Sequence, residues 1–225
     1  MKLRIVILLM SIVLLNSCIV KSLQPFYTKD KIAFNENLIG NWEDQHKGIW
    51  HVLSFKEVFE KDNKKENGGE EVKLSEEDLK AYETYKNSYV VSYNKPKKEE
   101  ALFVAMPFMV DDQLFLDFTP FHYESNELAD LVGQHLLKTH SAAKVDFDTE
   151  GNPKFSWLSE ERIKPLYKEN KIRLKHEKIG ADEDLVLTAS SEELYAFLRK
   201  FMQADIENKW SKDVIRLKPS DVKPE

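Results

Sequence analysis

Three short apolar segments, Tyr89 to Tyr93, Ala101 to Phe108 and Gln113 to Phe118, follow one another so closely that only tight turns can join them. Asn94-Lys95-Pro96-Lys97 and Asp111-Asp112 supply residues suited to such turns, so the segments read as consecutive antiparallel hairpins. Leu102-Phe103-Val104-Ala105-Met106 is apolar at every position. Because side chains alternate across a sheet, this predicts a strand covered on both faces. A chain built around this meander is confined to mainly β architectures.

Flanking segments extend the pattern. Trp50 to Phe55 has the β-branched and aromatic content of a strand, with His51, Leu53 and Phe55 expected on one face. Residues 60–74 are almost wholly charged around Gly68-Gly69, which predicts a loop or hairpin tip. Ser75 then offers an N-cap to a short helix carrying Leu79 and Tyr82. Together these form a charged insertion at about 59–88. Residues 121–133 read as a polar crossover, and a strand is expected over about 136–147, where Ala143, Val145 and Phe147 alternate with polar residues. The turn Asp148 to Asn152 hands over to Phe155 and Trp157. A short helix with Ile163, Leu166 and Tyr167 follows, then strands at 172–176 and 185–188.

Ser190-Ser191-Glu192-Glu193 has the form of a capping box, and Leu194, Phe197, Leu198 and Phe201 fall at helical spacing behind it. That is an amphipathic helix whose apolar stripe should cover a sheet. The fold class expected is mainly β (α+β): an antiparallel barrel or strongly curved sheet with this C-terminal helix packed on it. The folded region is placed at 38–205, a tether at 18–37 and a tail at 206–225, with 219–225 disordered.

The N-terminus sets an address. Lys2 and Arg4 precede an apolar run from Ile5 to Leu15, and Leu15-Asn16-Ser17-Cys18 follows. The run is far shorter than the roughly 20 residues that cross a bilayer as a helix. A basic start, a short apolar stretch and a small residue before a cut site make 1–17 a signal peptide. Leu15-Asn16-Ser17-Cys18 resembles the lipobox of bacterial lipoproteins, although Asn16 departs from the commoner small residue. The resemblance implies a diacylglyceryl group on Cys18, cleavage before it and acylation of the new N-terminus. Three such chains would anchor the protein to a membrane, since stable attachment takes two. Neither the aspartate that resembles an inner-membrane retention signal nor an acidic surface-export cluster follows Cys18. An extracytoplasmic location at the periplasmic face of an outer membrane is expected by elimination.

Cys18 is the only cysteine, so a lipidated chain has no disulfide framework and must rely on its apolar core. Removing residues 1–17 takes away Lys2 and Arg4 but no acid, and the net charge moves from −6 to −8. Nucleic acid is therefore excluded as a partner, because phosphate binding needs clustered positive charge.

Gly40-Asn41-Trp42, followed by a meander and a late helix, resembles the Gly-X-Trp start of lipocalin-like barrels. In that family the Trp plugs one end of a barrel whose interior can hold an apolar ligand. Blocks such as Leu114 to Asp117, His140 to Val145 and Leu187 to Leu198 resemble a group of uncharacterised bacterial secreted proteins and lipoproteins, and no activity comes with that likeness. The candidate ligand-binding residues are Trp42, Trp50, Phe103, Phe115, His140 and Trp157. The same aromatic residues could equally form a filled core.

Neither H-E-x-x-H nor Gly-X-Ser-X-Gly spacing occurs, and 7 glycines leave no phosphate-cradling loop. The expectation is a non-catalytic protein with no cofactor and no metal. Two functions remain open: a module that binds a small apolar ligand, and a filled β domain that displays a surface to an envelope protein.

Overall fold

A computed structural model describes residues 19–66, 74–95, 100–121, 137–181 and 183–222. The signal peptide, Cys18, the Gly68-Gly69 tip and most of the 121–133 crossover lie outside the described residues.

Eight strands close into an antiparallel barrel: β2 (Gly40–Asp44), β3 (Ile49–Ser54), β4 (Tyr89–Asn94), β5 (Glu100–Val110), β6 (Gln113–Pro120), β7 (Ser141–Phe147), β8 (Pro153–Trp157) and β11 (Val214–Pro219). Seven of them run up and down in chain order, and β11 fills the gap between β8 and β2. This is the mainly β antiparallel barrel expected from the sequence, and its architecture is consistent with a lipocalin-like barrel. The predicted turn at Asp111-Asp112 joins β5 to β6, with Val110 opposite Gln113, and Asp111 takes the left-handed backbone that such a turn demands. We call the barrel end holding Asp44, Asn94, Pro120 and Trp157 the upper end, and that holding Gly40, Ser54 and Val110 the lower end.

Alternation along the strands builds two cores. Inward side chains, among them Trp50, Val52, Tyr89, Val91, Leu116, Phe118, Phe155 and Trp157, form one inside the barrel. Outward side chains of β5, β6 and β7, namely Phe108, Phe115 and Ala142, form a second with the layer outside. That layer holds α3 (Glu160–Lys168), α4 (Ser191–Gln203) and a small sheet of β1 (Lys21–Ser22), β10 (Asp184–Leu187) and β9 (His176–Ile179). The expectation that Leu102 to Met106 is covered on both faces holds: Ala105 is buried within the barrel core, and Val104 and Met106 are buried on the other side. α4 begins at the predicted capping box, where Ser190 and Glu193 bond reciprocally, and Leu194, Leu198 and Phe201 are buried.

Several expectations are corrected. As far as it is described, the segment expected as a tail at 206–225 is part of the fold, because β11 pairs with both β8 and β2 and Leu217 is buried in the barrel core. Ile215 and Leu217 both face the barrel core, and the two flanking strands supply the rest of the packing. Residues 18–37 are not a free tether as far as they are described. Val20 and Phe26 are fully buried, and β1 runs parallel to β10. Their partners, Leu158, Leu187 and Asp117, come from distant sequence, which hides the docking from local reading.

The insertion does lie between β3 and β4, but residues 60–66 are helical, not loop. α1 (Phe55–Glu66) and α2 (Glu76–Tyr85) form a pair at the lower end. Lys and Glu are good helix formers, and Lys56, Glu57, Glu60, Lys61 and Asp62 lie exposed along α1. Phe55 and Phe59 close its other side against Tyr85 and Tyr82 at 5.7 and 5.0 Å. On β3 His51 and Leu53 share one face as expected, and it is the outer one, since Trp50 and Val52 point inward; Phe55 belongs to α1, and His51 Nδ1 meets Asn41 on β2 at 2.7 Å. The strand expected at 172–176 starts only at His176, and the one expected from 136 starts at Ser141.

Candidate functional site

The six candidate ligand-binding residues are divided between the two sides of the barrel wall. Trp50 and Trp157 face each other inside, with ring centroids 6.4 Å apart. Phe155 lies 6.0 Å from each, Phe118 is 5.3 Å from Trp157, and Phe103 meets Phe118 edge-on at 5.9 Å. Such separations are those of aromatic rings in contact, so these side chains fill the interior by touching one another. Trp42 packs against the same core and donates its indole N–H to the Leu38 carbonyl at 3.0 Å. Phe115 points out of the barrel and stacks on Phe108 at 5.6 Å. His140 lies on the outer surface beside β1. The expected convergence of all six on one cavity is therefore corrected: the pleat sends odd and even positions of one strand to opposite faces.

A different concavity lies outside the barrel. The segment after α3 crosses α4, and Leu166, Ile172, Leu174, Phe197, Phe201 and Ile206 line a cleft of about 740 Å³. Its rim carries Asn170, Lys171, Arg173, Lys200, Glu193 and Asp205. Its volume falls within the roughly 300–1,000 Å³ of small-molecule sites, and an apolar floor with a few polar rim groups is their usual make-up. α4 builds it through its spacing: Leu194 and Leu198 are spent on the outer core, while Ala196 and Phe197 lie one step round the helix and open into the cleft. Ile172 and Leu174 lie in the segment for which the sequence predicts a strand. Their alternation was visible, but nothing local showed that no strand pairs beside them.

Two buried carboxylates organise the wall. Asp117 on β6 is 1% exposed and points outward. One oxygen accepts the Phe26 N–H at 2.7 Å, and the other lies 2.6 Å from His140 Nδ1. Thr119 Oγ1 is 3.0 Å from the same nitrogen. Burial pushes the Asp117 carboxyl above the usual carboxylate range, and His140 and the Phe26 N–H pull it back. Among the described residues the side-chain bonds of His140 run through Nδ1 alone, and Ser22 Oγ is taken up by the Leu187 carbonyl and the Gln24 N–H. Through the Phe26 N–H, the pair holds the N-terminal segment on the wall.

Asp44, 3% exposed, does the same for the β2–β3 turn. It accepts from the His46 N–H at 2.7 Å, the Gly48 N–H at 2.9 Å and the Trp50 indole at 3.0 Å. Burial alone would raise its pKa, but these three donors outweigh it and hold the carboxyl below its usual range. Among the described residues, no three His, Cys, Asp or Glu side chains gather as a metal site.

No family model, no curated protein and no solved structure matches the chain.

Proposed function

We propose that this protein is an extracytoplasmic lipoprotein, held to a membrane through Cys18, that binds a small apolar molecule in the cleft between α4 and the segment after α3. The lipobox-like Leu15-Asn16-Ser17-Cys18 supports the address. The observation that carries the binding reading is the cleft itself, with Ile172, Leu174, Phe197 and Ile206 left partly open to solvent along it. The barrel interior is the poorer candidate because its rings are in mutual contact.

The test uses the lipid-free chain from Ile19 to Glu225 and the fluorescent apolar probe N-phenyl-1-naphthylamine. The probe should brighten on binding, Phe197→Glu should abolish the signal, and Trp50→Phe should leave it. Equal loss in both variants would return the ligand to the barrel, and no signal from the parent chain would remove the binding reading. Attachment is tested by metabolic labelling with palmitate, which Cys18→Ser should prevent while releasing the protein from membranes.

The α1–α2 pair favours a second reading, in which the protein presents a surface to an envelope partner. The two helices project beyond the barrel, close their aromatic side on each other and leave charged faces outward. Loss of a crosslinked partner on replacing 59–85 with a short Gly-Ser turn would favour it.

A further inference from the structure

The chain enters the fold with almost no slack. Ile19 bridges Ser159, and the Val20 N–H bonds to the Leu158 carbonyl at 2.9 Å. Val20 is fully buried, and Ser22 then exchanges two backbone bonds with His140. Ile19 packs against the barrel core at its upper end, where β8 stops and β7 starts. Cys18 is the next residue, about 3.8 Å away along the backbone. A lipid on Cys18 must therefore leave the protein at the barrel's upper rim.

The same rim carries exposed apolar residues. Phe121, which follows β6, is 49% exposed and Leu137, which precedes β7, is 74% exposed. Exposed Lys95 and Lys138 flank them at the ends of β4 and of the connection to β7. Large apolar side chains bordered by lysines suit the boundary between headgroups and acyl chains. The lower end carries exposed apolar residues too, among them Leu53 and Leu79, together with the charged α1–α2 pair and the Asp148 to Asn152 turn, and it lies roughly 15–20 Å away for strands of this length at the tilt of a small barrel, so it is the position of Cys18 that sets the two ends apart.

We infer that the upper rim of the barrel, at Ile19, Phe121 and Leu137, rests directly on the lipid headgroups, which turns the α1–α2 pair away from the membrane. This rests on the reading that Cys18 carries lipid. The orientation follows because a one-residue connection cannot let the body swing free, as a tether of some twenty residues would.

The test takes the full lipidated protein, purified from bacterial membranes and placed in vesicles of phosphatidylethanolamine and phosphatidylglycerol. A nitroxide is attached at Leu137→Cys, Phe121→Cys or, on α2, Leu79→Cys; all three native side chains are exposed. Collisions with oxygen, which concentrates in lipid, and with a water-soluble nickel chelate are then compared. Labels at 121 and 137 should be several-fold richer in oxygen contacts, relative to nickel, than the label at 79. If a protein that floats with the vesicles shows the three labels equally open to nickel, the orientation is wrong while the anchor stands. If intact mass shows Cys18 unmodified, the anchor reading fails and the orientation fails with it.

Discussion

Asp117 holds His140 at 2.6 Å across β6 and the start of β7, and the oxygen it leaves over binds the Phe26 N–H, 91 residues earlier in the chain. One buried carboxylate therefore joins the N-terminal segment to the barrel wall. Asp117→Ala removes both bonds and should cost about 1–3 kcal/mol, the usual penalty for buried groups left unpaired. The Phe26 amide should also exchange its hydrogen faster than amides inside the barrel, as hydrogen-exchange mass spectrometry would show. Unchanged exchange there would mean that the segment is held by Val20 and Phe26 alone.

Asp44 makes the upper turn sensitive to acid. Its carboxyl is held below the ordinary carboxylate value, so the stability it contributes is complete above that value, near pH 4, and is lost as pH falls through the folded-state pKa. The urea midpoint should drop between pH 6 and pH 3, and it should drop less in Asp44→Asn. At pH 6 that variant should already be weaker by about 1–3 kcal/mol, because an amide cannot serve all three donors.

Gly48 is required by space. A Cβ there would collide with Tyr93 Cε2 and lie 2.7 Å from Asp44 Oδ2. Gly48→Ala should destabilise by about 1–3 kcal/mol through overpacking. At Gly151 no atom lies within 4 Å, but φ is +83°, so Gly151→Ala should cost only about 1 kcal/mol of backbone strain. Thermal denaturation of the two variants would separate the causes.

β11 closes the barrel, so deleting residues 214–225 should abolish cooperative unfolding, not trim a tail. Leu217→Ala leaves the pairing intact and should cost about 2–4 kcal/mol as a core truncation. A deletion variant that unfolds at the parent midpoint would show that the closure adds nothing.

Much of the fold was legible because its signals are local. The Ser190 and Glu193 capping box, the Asp111-Asp112 turn and the Ser75 cap each involve residues a few positions apart, where one hydrogen bond and one periodicity decide the outcome. Period-two alternation likewise marked the strands. It could not mark which face was inward where both were apolar, so Phe115 and Trp50 looked alike in sequence yet lie on opposite sides of the wall.

The tertiary structure alone decided what depends on distant partners. β11 meets β2 some 175 residues away in sequence, in the pair Leu217 with Asp44 among others, and Val20 and Phe26 meet a wall built from β6, β7 and β10. The cleft exists only because α4 and the 171–174 segment pass each other without pairing. Loop closure over such separations is paid in chain entropy and repaid by burial, and neither quantity can be read from neighbouring residues. Composition and local pattern determined the elements and the lipobox-like start; the packing of remote segments determined the closure, the docking of the N-terminus and the place where a ligand could sit.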